Sequence, residues 1–515
     1  MMTLLVQRIS LYILPLLSGV VLTLSFPRFD LYPLAWIALV PLFCFLWNRN
    51  SREAFIGGFV FGLVSFFGTL SWISHSINHY GGFSLVSSLA IVLLLCAYLS
   101  LYPAVFSLIY ASVIRRTKLP SVLLAPVFWV VLEYVRTYAF SGFPWASIGY
   151  SQYRFLPLIQ ISDITGVYGV SFLVVAFNGA ATDVFLLKKR MQSMPLFPLS
   201  YTAAGFAVFG AMILFSLGYG GWRLSQERQG AAVAISVVQG NIEQDRKWVP
   251  AYQQEVMNIY TGLTQKAALD RPSLIVWPET AVPFYFGHDI EHSSRLSAVQ
   301  RDIGIPLLFG AVRVKEQAGG TLRLSNSAVL LDHEGKTVAL YDKIHLVPFG
   351  EYVPLKQLLF FMEKLVAGTG DFVPGDRTFR MMTPFGSFGT LICYEIAFPG
   401  MVRKFYADGG DAIVTITNDA WFGRTSGPYQ HFSMGVFRAV ENRKPLIRAA
   451  NTGISGFIDS NGRILRMSSL FRREVVSASL QTDSTRTAYS AYGDLFVYVC
   501  IVAAIMVLMN LKTWR

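Results

Sequence analysis

The sequence has few charged residues for its length of 515 residues. Charged side chains make up 14% of the chain, hydrophobic residues make up 53%, and the mean hydropathy is +0.46. This composition excludes an ordinary soluble globular protein. The sequence also has no tandem repeat, low-complexity tract or Pro-rich linker. We therefore expect an integral membrane protein built from compact domains.

Cysteine is scarce as well. Three of the four cysteines, Cys44, Cys96 and Cys500, lie inside membrane-length apolar runs, where we expect small packing residues. The fourth, Cys393, has no other cysteine in its own polar segment, which excludes a disulfide bond within that segment. Cys393 is therefore expected to be either a buried core residue or a reactive thiol.

Motifs for metals and nucleotides are also missing. His75 and His79 lie in a loop between two apolar runs, and His288 and His292 have helical spacing. No further Cys or His near either pair completes a ligand set. None of the Gly-rich phosphate-binding motifs occurs. The sequence therefore predicts neither a metal site nor a nucleotide cofactor.

Long apolar runs are present instead, most of them near the ~20 residues that a spanning helix requires. They predict eight spans, at about 9–26, 31–47, 54–74, 86–114, 121–140, 168–187, 201–221 and 492–511. No small-residue cleavage site follows the first run, which is therefore predicted to be an uncleaved helix. The predicted domains are a seven-helix membrane domain (1–221), a polar-mixed domain (222–491), and a closing helix with its tail (492–515).

Basic residues are distributed unevenly between the loops. One side of the membrane would carry eleven: Arg8, Arg49, Arg52, Arg115, Arg116, Lys118, Lys188, Lys189, Arg190, Lys512 and Arg515. The short loops of the other side hold only Arg28 and Arg154, with Arg136 at a helix end. The positive-inside rule then predicts cytoplasmic termini and an extracytoplasmic domain 222–491. The net charge of +12 therefore reflects membrane orientation and does not indicate nucleic acid binding.

The polar-mixed domain alternates between strand-like and helix-like patterns. Strands are predicted at 231–239, 273–277, 306–312, 327–331, 338–341, 388–393, 412–417, 446–450 and 455–459, and helices at about 249–269, 292–302, 397–407 and 430–442. This alternation predicts an α/β domain in which helices cover the sheets. With about 270 residues, the domain is large enough to bury its own core.

Three predicted strands end beside reactive side chains, namely Glu279, Lys343 and Cys393. Taken singly, Cys393 could be an inert core residue, Glu279 a helix cap, and Lys343 a surface ion pair with Asp342. Taken together, they present a carboxylate, an ammonium and a thiol at strand ends, where open α/β sheets expose ligand-binding side chains. These groups are the components of an acyl-transfer site.

Four short motifs around these residues resemble the nitrilase superfamily. They are Trp277-Pro-Glu279-Thr, Lys343-x-His-Leu-Val-Pro-Phe-Gly-Glu351-Tyr, Cys393-Tyr394-Glu395-x-x-Phe-Pro399 and Thr417-Asn418-Asp-Ala-Trp421-Phe. The resemblance implies an α-β-β-α sandwich with a Glu-Lys-Cys triad. Many relatives that act on small amides carry Arg where this chain has Ala397. That difference argues against a small polar amide as substrate.

A nitrilase-like domain between seven spans and an eighth resembles the apolipoprotein N-acyltransferase family. The match includes Gln239-Gly-Asn-Ile-x-Gln244, Trp248 and Asn451-Thr-Gly-Ile-Ser-Gly456. It implies a multi-pass enzyme of the bacterial inner membrane with a periplasmic catalytic domain. The implied donor is a phospholipid, phosphatidylethanolamine, and the acceptor is the N-terminal amine of a diacylglyceryl-cysteine lipoprotein. Transfer from ester to thioester to amide runs downhill, so no cofactor is required.

This chemistry assigns a role to each triad residue. Cys393 would form the thioester, Glu279 would take the thiol proton, and Lys343 would stabilise the thiolate and the oxyanion. Glu351 is expected to orient Lys343 or the incoming amine. Further second-shell or substrate-binding residues implied by position and resemblance are Trp248, Tyr394, Glu395, Asn418 and Trp421, of which Tyr394 and Glu395 would shape the oxyanion site and acceptor pocket.

Three apolar stretches of the outer domain, 282–286, 358–362 and 420–422, have two interpretations. They could be core, or they could be loops that dip into the outer leaflet around a lipid-lined entrance, with a hinge at Gly368 and Gly370. Two other functions also remain open. One is a membrane-anchored amidase that hydrolyses a small amide, and the other is a transporter or receptor whose outer domain only binds ligand.

Overall fold

The computed structural model describes residues 12–117, 119–193, 199–226, 230–318, 321–352 and 371–511. The chain separates into two compact units. A helical unit comprises the chain up to Ser74, Ser84–Ser225 and the chain from Tyr492 onward. An α/β unit comprises His75–Phe83 and Gln226–Ala491. A short segment of the N-terminal half, made of the end of the helix Ile73–His79 and the residues that follow it, is thus part of the α/β unit.

The helical unit is built from apolar helices. These are Ile13–Leu24, Val40–Leu46, Ser51–Leu70, Leu85–Ile114, Ser121–Tyr138, Val167–Ser193, Leu199–Ser225 and Leu495–Asn510, with short turns at Tyr32–Trp36, Ile148–Gln152, Leu156–Ile159 and Ser162–Thr165. Among the described residues, five helices are long and apolar enough to cross a membrane: Ser51–Leu70, Leu85–Ile114, Ser121–Tyr138, Val167–Leu187 and Ser200–Ser225. The other three predicted spans correspond to shorter apolar helices.

The second predicted span is broken rather than continuous. It consists of a 3-10 turn, Tyr32–Trp36, and a short helix, Val40–Leu46, and each has a proline near its start. Pro33 and Pro41 have no N–H to donate and a fixed φ, so they favour the first turn of a helix and disfavour its interior. The apolar run therefore reads as one span in the sequence but forms two pieces.

Glu133 and Arg136 lie three residues apart on the helix Ser121–Tyr138, but their side chains bind other groups. The Glu133 Oε1 atom accepts a hydrogen bond from the Ile148 N–H at 2.8 Å. Arg136 donates to the Trp145 carbonyl at 2.7 Å and to the Ser147 hydroxyl at 3.1 Å. Both side chains are buried. They therefore satisfy the backbone of one tight loop, which is a structural role for intramembrane charge.

Two sheets form the centre of the α/β unit. Their strands are β1 (Ala232–Gln239), β2 (Leu274–Val276), β3 (Leu307–Ala318), β4 (Thr321–Leu331), β5 (Thr337–Asp342), β6 (Asp371–Phe372), β7 (Arg380–Thr383), β8 (Gly386–Ile392), β9 (Ala412–Thr417), β10 (Leu446–Ala450), β11 (Gly456–Ile458), β12 (Ile464–Met467) and β13 (Glu474–Gln481). The first sheet has the order β13-β1-β2-β3-β4-β5, with β6 beside β4, and the second has the order β12-β11-β10-β9-β8-β7.

Each sheet has a parallel centre. Strands β1, β2 and β3 run parallel, and so do β8, β9 and β10. The crossover helices are Gln253–Ala268 and Ile290–Ile303 in the first sheet, and Pro399–Lys404 and Gly427–Asn442 in the second. Strand β1 contacts β10, so the two sheets face each other. The predicted α-β-β-α sandwich is confirmed.

All nine predicted strands are present, and the described part of the chain contains four further strands that we did not predict. The missed strands are β6, β7, β12 and β13. Strand β13 has the most pairing, because it lies antiparallel to β1 from Ala232↔Gln481 to Gln239↔Glu474. Its small, half-exposed side chains give little hydrophobic signal, whereas pairing with β1 supplies its hydrogen bonds.

Candidate active site

Glu279 follows β2 and is almost completely buried. Its Oε1 atom accepts a hydrogen bond from Asn326 Nδ2 at 2.7 Å, and its Oε2 atom accepts one from the Asn418 N–H at 2.8 Å. Gly310 on β3 lies against its backbone, where a Cβ atom would come within 2.5 Å of the Glu279 Cα. The carboxylate is therefore held in one orientation by neighbours from three strands.

Lys343 follows β5 and is also buried. Its Nζ atom lies 2.8 Å from Glu351 Oε1 and 3.5 Å from Glu279 Oε1. Burial would lower the pKa of Lys343, but the Glu351 and Glu279 carboxylates outweigh burial and raise the pKa. The side chain therefore remains a cation. We predicted that Glu351 orients Lys343 or the incoming amine, and its contact is with Lys343.

Cys393 follows β8 and begins the 3-10 turn Cys393–Ala397. Its φ angle is 53° and its side chain is buried. Burial and then the Glu279 carboxylate raise the pKa of the Cys393 thiol, while Lys343 and a hydrogen bond with Thr417 lower it by less. We expected Lys343 to favour a thiolate, but the net direction is the opposite. The resting thiol is protonated and needs a base.

Asn326 joins the two carboxylates and was missed by the sequence analysis. Its Nδ2 atom donates to Glu279 Oε1 at 2.7 Å and to Glu351 Oε1 at 3.0 Å. The Lys343 N–H donates to the Asn326 carbonyl at 2.8 Å. Glu351 also accepts from the Val347 N–H at 2.8 Å. The sequence could have identified Asn326, because an amide side chain within an apolar strand is buried and requires polar partners.

Glu395 is a buried brace rather than part of an open acceptor pocket. It accepts hydrogen bonds from the Ile392 N–H at 2.7 Å, the Ile344 N–H at 2.7 Å and the Tyr341 hydroxyl at 2.9 Å. Burial raises the pKa of Glu395 to about 7 against the opposing effects of these backbone bonds and of Lys343. Glu395 therefore ties the nucleophile turn to the residues that follow β5.

Of the remaining predicted site residues, Asn418 is the one with a direct contact to Glu279 among the described hydrogen bonds. Asn418 binds Glu279 through its backbone and Gln244 through its side chain. The Tyr394 ring is 5.0 Å from that of Phe398. Trp248 is 37% exposed, with its ring 5.6 Å from that of Tyr285.

Trp421 contacts the segment His75–Phe83 of the same α/β unit. Its ring lies 4.6 Å from that of Tyr80, and its carbonyl accepts a hydrogen bond from the Ser76 hydroxyl at 2.6 Å. The Tyr80 hydroxyl also donates to the Ala420 carbonyl at 3.1 Å. This contact could not be anticipated, because the two segments are about 340 residues apart in the sequence.

The apolar stretches divide between the two interpretations. In 282–286, Val282, Phe284 and Phe286 belong to the core cluster that includes Trp277 and Phe309, so the membrane-dipping interpretation is wrong for that stretch. In 420–422, Ala420 is buried, whereas Trp421 and Phe422 are partly exposed. The stretch 358–362 and the hinge glycines Gly368 and Gly370 lie outside the described residues. The same is true of Arg8, Lys118, Lys512 and Arg515.

Comparisons with known proteins agree with this arrangement. The family described as "Apolipoprotein N-acyltransferase N-terminal domain" matches residues 18–180, and the family described as "Carbon-nitrogen hydrolase" matches residues 234–489. The chain is 44% identical to an apolipoprotein N-acyltransferase of Geobacter metallireducens, over 96% of this chain and 94% of the relative. It is 32% identical to that of Pasteurella multocida, over 96% and 94%.

The chain also has partial similarity to solved structures. An amidase from Nesterenkonia sp. is 22% identical, and the match covers 50% of this chain and 93% of that chain with a TM-score of 0.38.

Proposed function

The chain belongs to the apolipoprotein N-acyltransferase family, and we propose that Cys393, Glu279 and Lys343 are its nucleophile, its general base and its oxyanion-stabilising cation. As a member of this family it is a membrane N-acyltransferase with a lipoprotein acceptor and a lipid donor. The observation that carries the residue assignment is the buried cluster in which Lys343 contacts both Glu279 and Glu351. Glu279 raises the pKa of the Cys393 thiol and Lys343 lowers it.

In the first half-reaction, the Cys393 sulfur attacks the ester carbonyl of the donor lipid. Glu279 takes the thiol proton as the S–C bond forms. The Lys343 ammonium stabilises the negative charge that develops on the carbonyl oxygen. The ester C–O bond then breaks, and Glu279 returns the proton to the leaving alkoxide. The products are a Cys393 thioester and a lysolipid alcohol.

In the second half-reaction, the amine of the acceptor attacks the thioester carbonyl. Glu279 removes the proton that the amine must lose, and Lys343 again stabilises the oxyanion. The C–S bond breaks and the sulfur regains its proton. The product is an amide, and the thiol is restored without any other reactant. Glu351 keeps Lys343 in place through both half-reactions.

The finer identity of substrates and topology is part of the proposal. The donor is phosphatidylethanolamine, and the acceptor is the α-amine of a diacylglyceryl-cysteine. The catalytic domain 222–491 lies in the periplasm between the seven-helix domain 1–221 and the closing segment 492–515, and both termini are cytoplasmic. The concentration of basic residues in alternate loops supports this orientation.

Mass spectrometry of the purified enzyme tests the proposal. Incubation with phosphatidylethanolamine vesicles should add one acyl mass to the peptide that contains Cys393, and a diacylated lipopeptide should then remove it. Cys393→Ser should carry no thioester. An acyl mass on a different residue, or release of ammonia from soluble amides in place of acyl transfer, would contradict the assignment. Vesicles of phosphatidylglycerol test the head group separately.

A further inference from the structure

His431 lies on the helix Gly427–Asn442 and is fully buried. Its Nε2 atom is 3.1 Å from the carbonyl oxygen of Cys393. A carbonyl oxygen can only accept a hydrogen bond, so Nε2 carries the proton and donates it. His431 therefore contacts the backbone of the nucleophile, at a position that none of the steps above uses.

The second ring nitrogen of His431 faces Asp419 and Arg448. Arg448 Nη2 lies 2.9 Å from His431 Nδ1 and 2.8 Å from Asp419 Oδ2, and Asp419 Oδ1 lies 3.0 Å from Nδ1. A guanidinium only donates and a carboxylate only accepts, so Nδ1 either accepts from Arg448 in the neutral form of the ring or donates to Asp419 in the protonated form, and Nε2 carries a proton in both. Burial and then Arg448 lower the pKa of His431, which favours the neutral form.

The backbone of Cys393 needs this support. A φ of 53° lies in the left-handed region, which is unfavourable for a residue other than glycine and persists only where its surroundings enforce it. Glu395 holds the preceding Ile392 N–H, and His431 holds the Cys393 carbonyl. Because the peptide unit is planar and trans, fixing this carbonyl also fixes the Tyr394 N–H, which points the opposite way.

The end of β9 connects this support to the base. Within three consecutive residues, Thr417 bonds to Asp419 at 2.8 Å, the Asn418 N–H binds Glu279 at 2.8 Å, and Asp419 contacts His431. Thr417 also forms a hydrogen bond with the Cys393 side chain. The nucleophile and the base are therefore oriented from the same strand end.

We propose that His431 is a positioning residue for the acyl-transfer reaction. Its Nε2–H holds the Cys393 carbonyl, and with it the sulfur and the Cys393–Tyr394 peptide, in the orientation for attack. Asp419 and Arg448 hold the imidazole so that its proton stays on Nε2. This inference rests on the proposed function, because it takes Cys393 as the nucleophile.

Three substitutions at His431 separate positioning from simple filling of the core. In His431→Gln, the side-chain amide nitrogen stands where Nε2 stood and can still donate to Cys393. In His431→Asn, the shorter side-chain amide reaches only the Nδ1 position, where its oxygen can accept from Arg448 or its nitrogen can donate to Asp419, but it loses Cys393. His431→Leu loses both. Asn442→Leu is the matched control, because Asn442 is fully buried on the same helix and bonds the Arg438 carbonyl.

The measurement is the rate of Cys393 thioester formation from phosphatidylethanolamine vesicles, per molecule of folded enzyme recovered by size-exclusion chromatography. We expect kcat for this step to fall about 10²-fold in His431→Asn and His431→Leu with unchanged KM, the size of effect that follows from a misplaced reacting group. We expect His431→Gln to retain most of the rate. Asn442→Leu should lower the thermal midpoint without slowing the step.

The outcomes are distinct for the two proposals. Equal rates in His431→Asn and His431→Gln, or equal slowing in Asn442→Leu, would overturn the role of His431. If His431→Leu is not recovered folded, the comparison of Asn with Gln still decides. An unmodified Cys393 in the unaltered enzyme would instead overturn the proposed function.

Discussion

Two clusters of buried charge lie next to Cys393, and they differ in balance. The first, which we call the base cluster, contains the carboxylates of Glu279 and Glu351 and the single cation Lys343. The second, the support cluster, contains one carboxylate, Asp419, one guanidinium, Arg448, and neutral His431. The base cluster keeps one negative charge in excess, which can accept a proton. The support cluster is neutral and can only hold geometry.

Removing the excess charge should have the largest effect. Glu279→Gln keeps the shape and the bonds to Asn326 and Asn418 in part, but it cannot accept the thiol proton. We expect thioester formation to fall about 10³-fold or more, the upper range for loss of a general base. Acyl-adduct mass spectrometry with time checks this. Glu243→Gln, at an exposed carboxylate, is the control and should leave the rate unchanged, and a normal rate in Glu279→Gln would remove the distinction between the clusters.

Unbalancing the support cluster should act on stability. Arg448→Met leaves the Asp419 carboxylate buried without the guanidinium that neutralises it. We expect the free energy of unfolding to fall by about 3–5 kcal/mol. Asp419→Leu combined with Arg448→Met removes both charges and should cost less than the sum of the single changes. Chemical denaturation in detergent, followed by tryptophan fluorescence, measures this cycle. Additive costs would mean that the pair does not compensate within the fold.

A pH dependence tests the buried amine of Lys247, whose Nζ donates a hydrogen bond to the Glu279 carbonyl at 3.2 Å. Burial lowers the pKa of Lys247 from 10.5 to about 7 against the attraction of Glu279. Between pH 7 and pH 10.5 the lysine is protonated in the unfolded chain and neutral in the folded chain. The contribution of Lys247 to the free energy of unfolding therefore rises with pH, by roughly 1.4 kcal/mol for each pH unit in this range.

Lys247→Met isolates this contribution. The unaltered enzyme should gain stability relative to Lys247→Met as the pH rises from 7 to 9, and the variant should be the more stable of the two at pH 7. Thermal midpoints in detergent, recorded for both proteins across the range, give the difference. A constant difference at all pH values would show that Lys247 does not titrate there.

The smallest effect concerns the segment His75–Phe83, whose residues belong to neither charge cluster. Tyr80→Phe removes the hydroxyl that binds the Ala420 carbonyl and keeps the ring against Trp421. We expect the free energy of unfolding to fall by about 1 kcal/mol, which is the net contribution of one hydrogen bond between neutral groups. Tyr252→Phe, at an exposed tyrosine, should cost less. Equal thermal midpoints for the two variants would mean that the bond contributes nothing.

The base cluster was predictable from the sequence to a greater extent than the support cluster. Glu279, Lys343 and Cys393 each stand at the end of an apolar strand, and that local pattern identifies them. His431 lies in an amphipathic helix with an ordinary period, so nothing local distinguishes it. Arg448 did offer a signal, since a charge inside the apolar strand Leu446–Ala450 requires a buried partner. Which partner it finds depends on how β9 and β10 pair, and this is tertiary information.

The helical unit shows the same limit. Apolar length located the helices, but hydropathy does not register that Pro33 and Pro41 divide one run into two pieces. Likewise β13 was missed because its stability comes from β1 rather than from its own side chains. Long-range pairing decides what local composition leaves open.

The pairing of β1 with β13 also bears on how the domain could have been acquired. Ala232 lies opposite Gln481, so the polypeptide enters and leaves this domain through neighbouring strands. A module with adjacent ends can be spliced into a loop between two existing helices without forcing them apart. Only Gln226–Ala491 is contiguous, however, because the segment His75–Phe83 of the same unit comes from an earlier part of the chain.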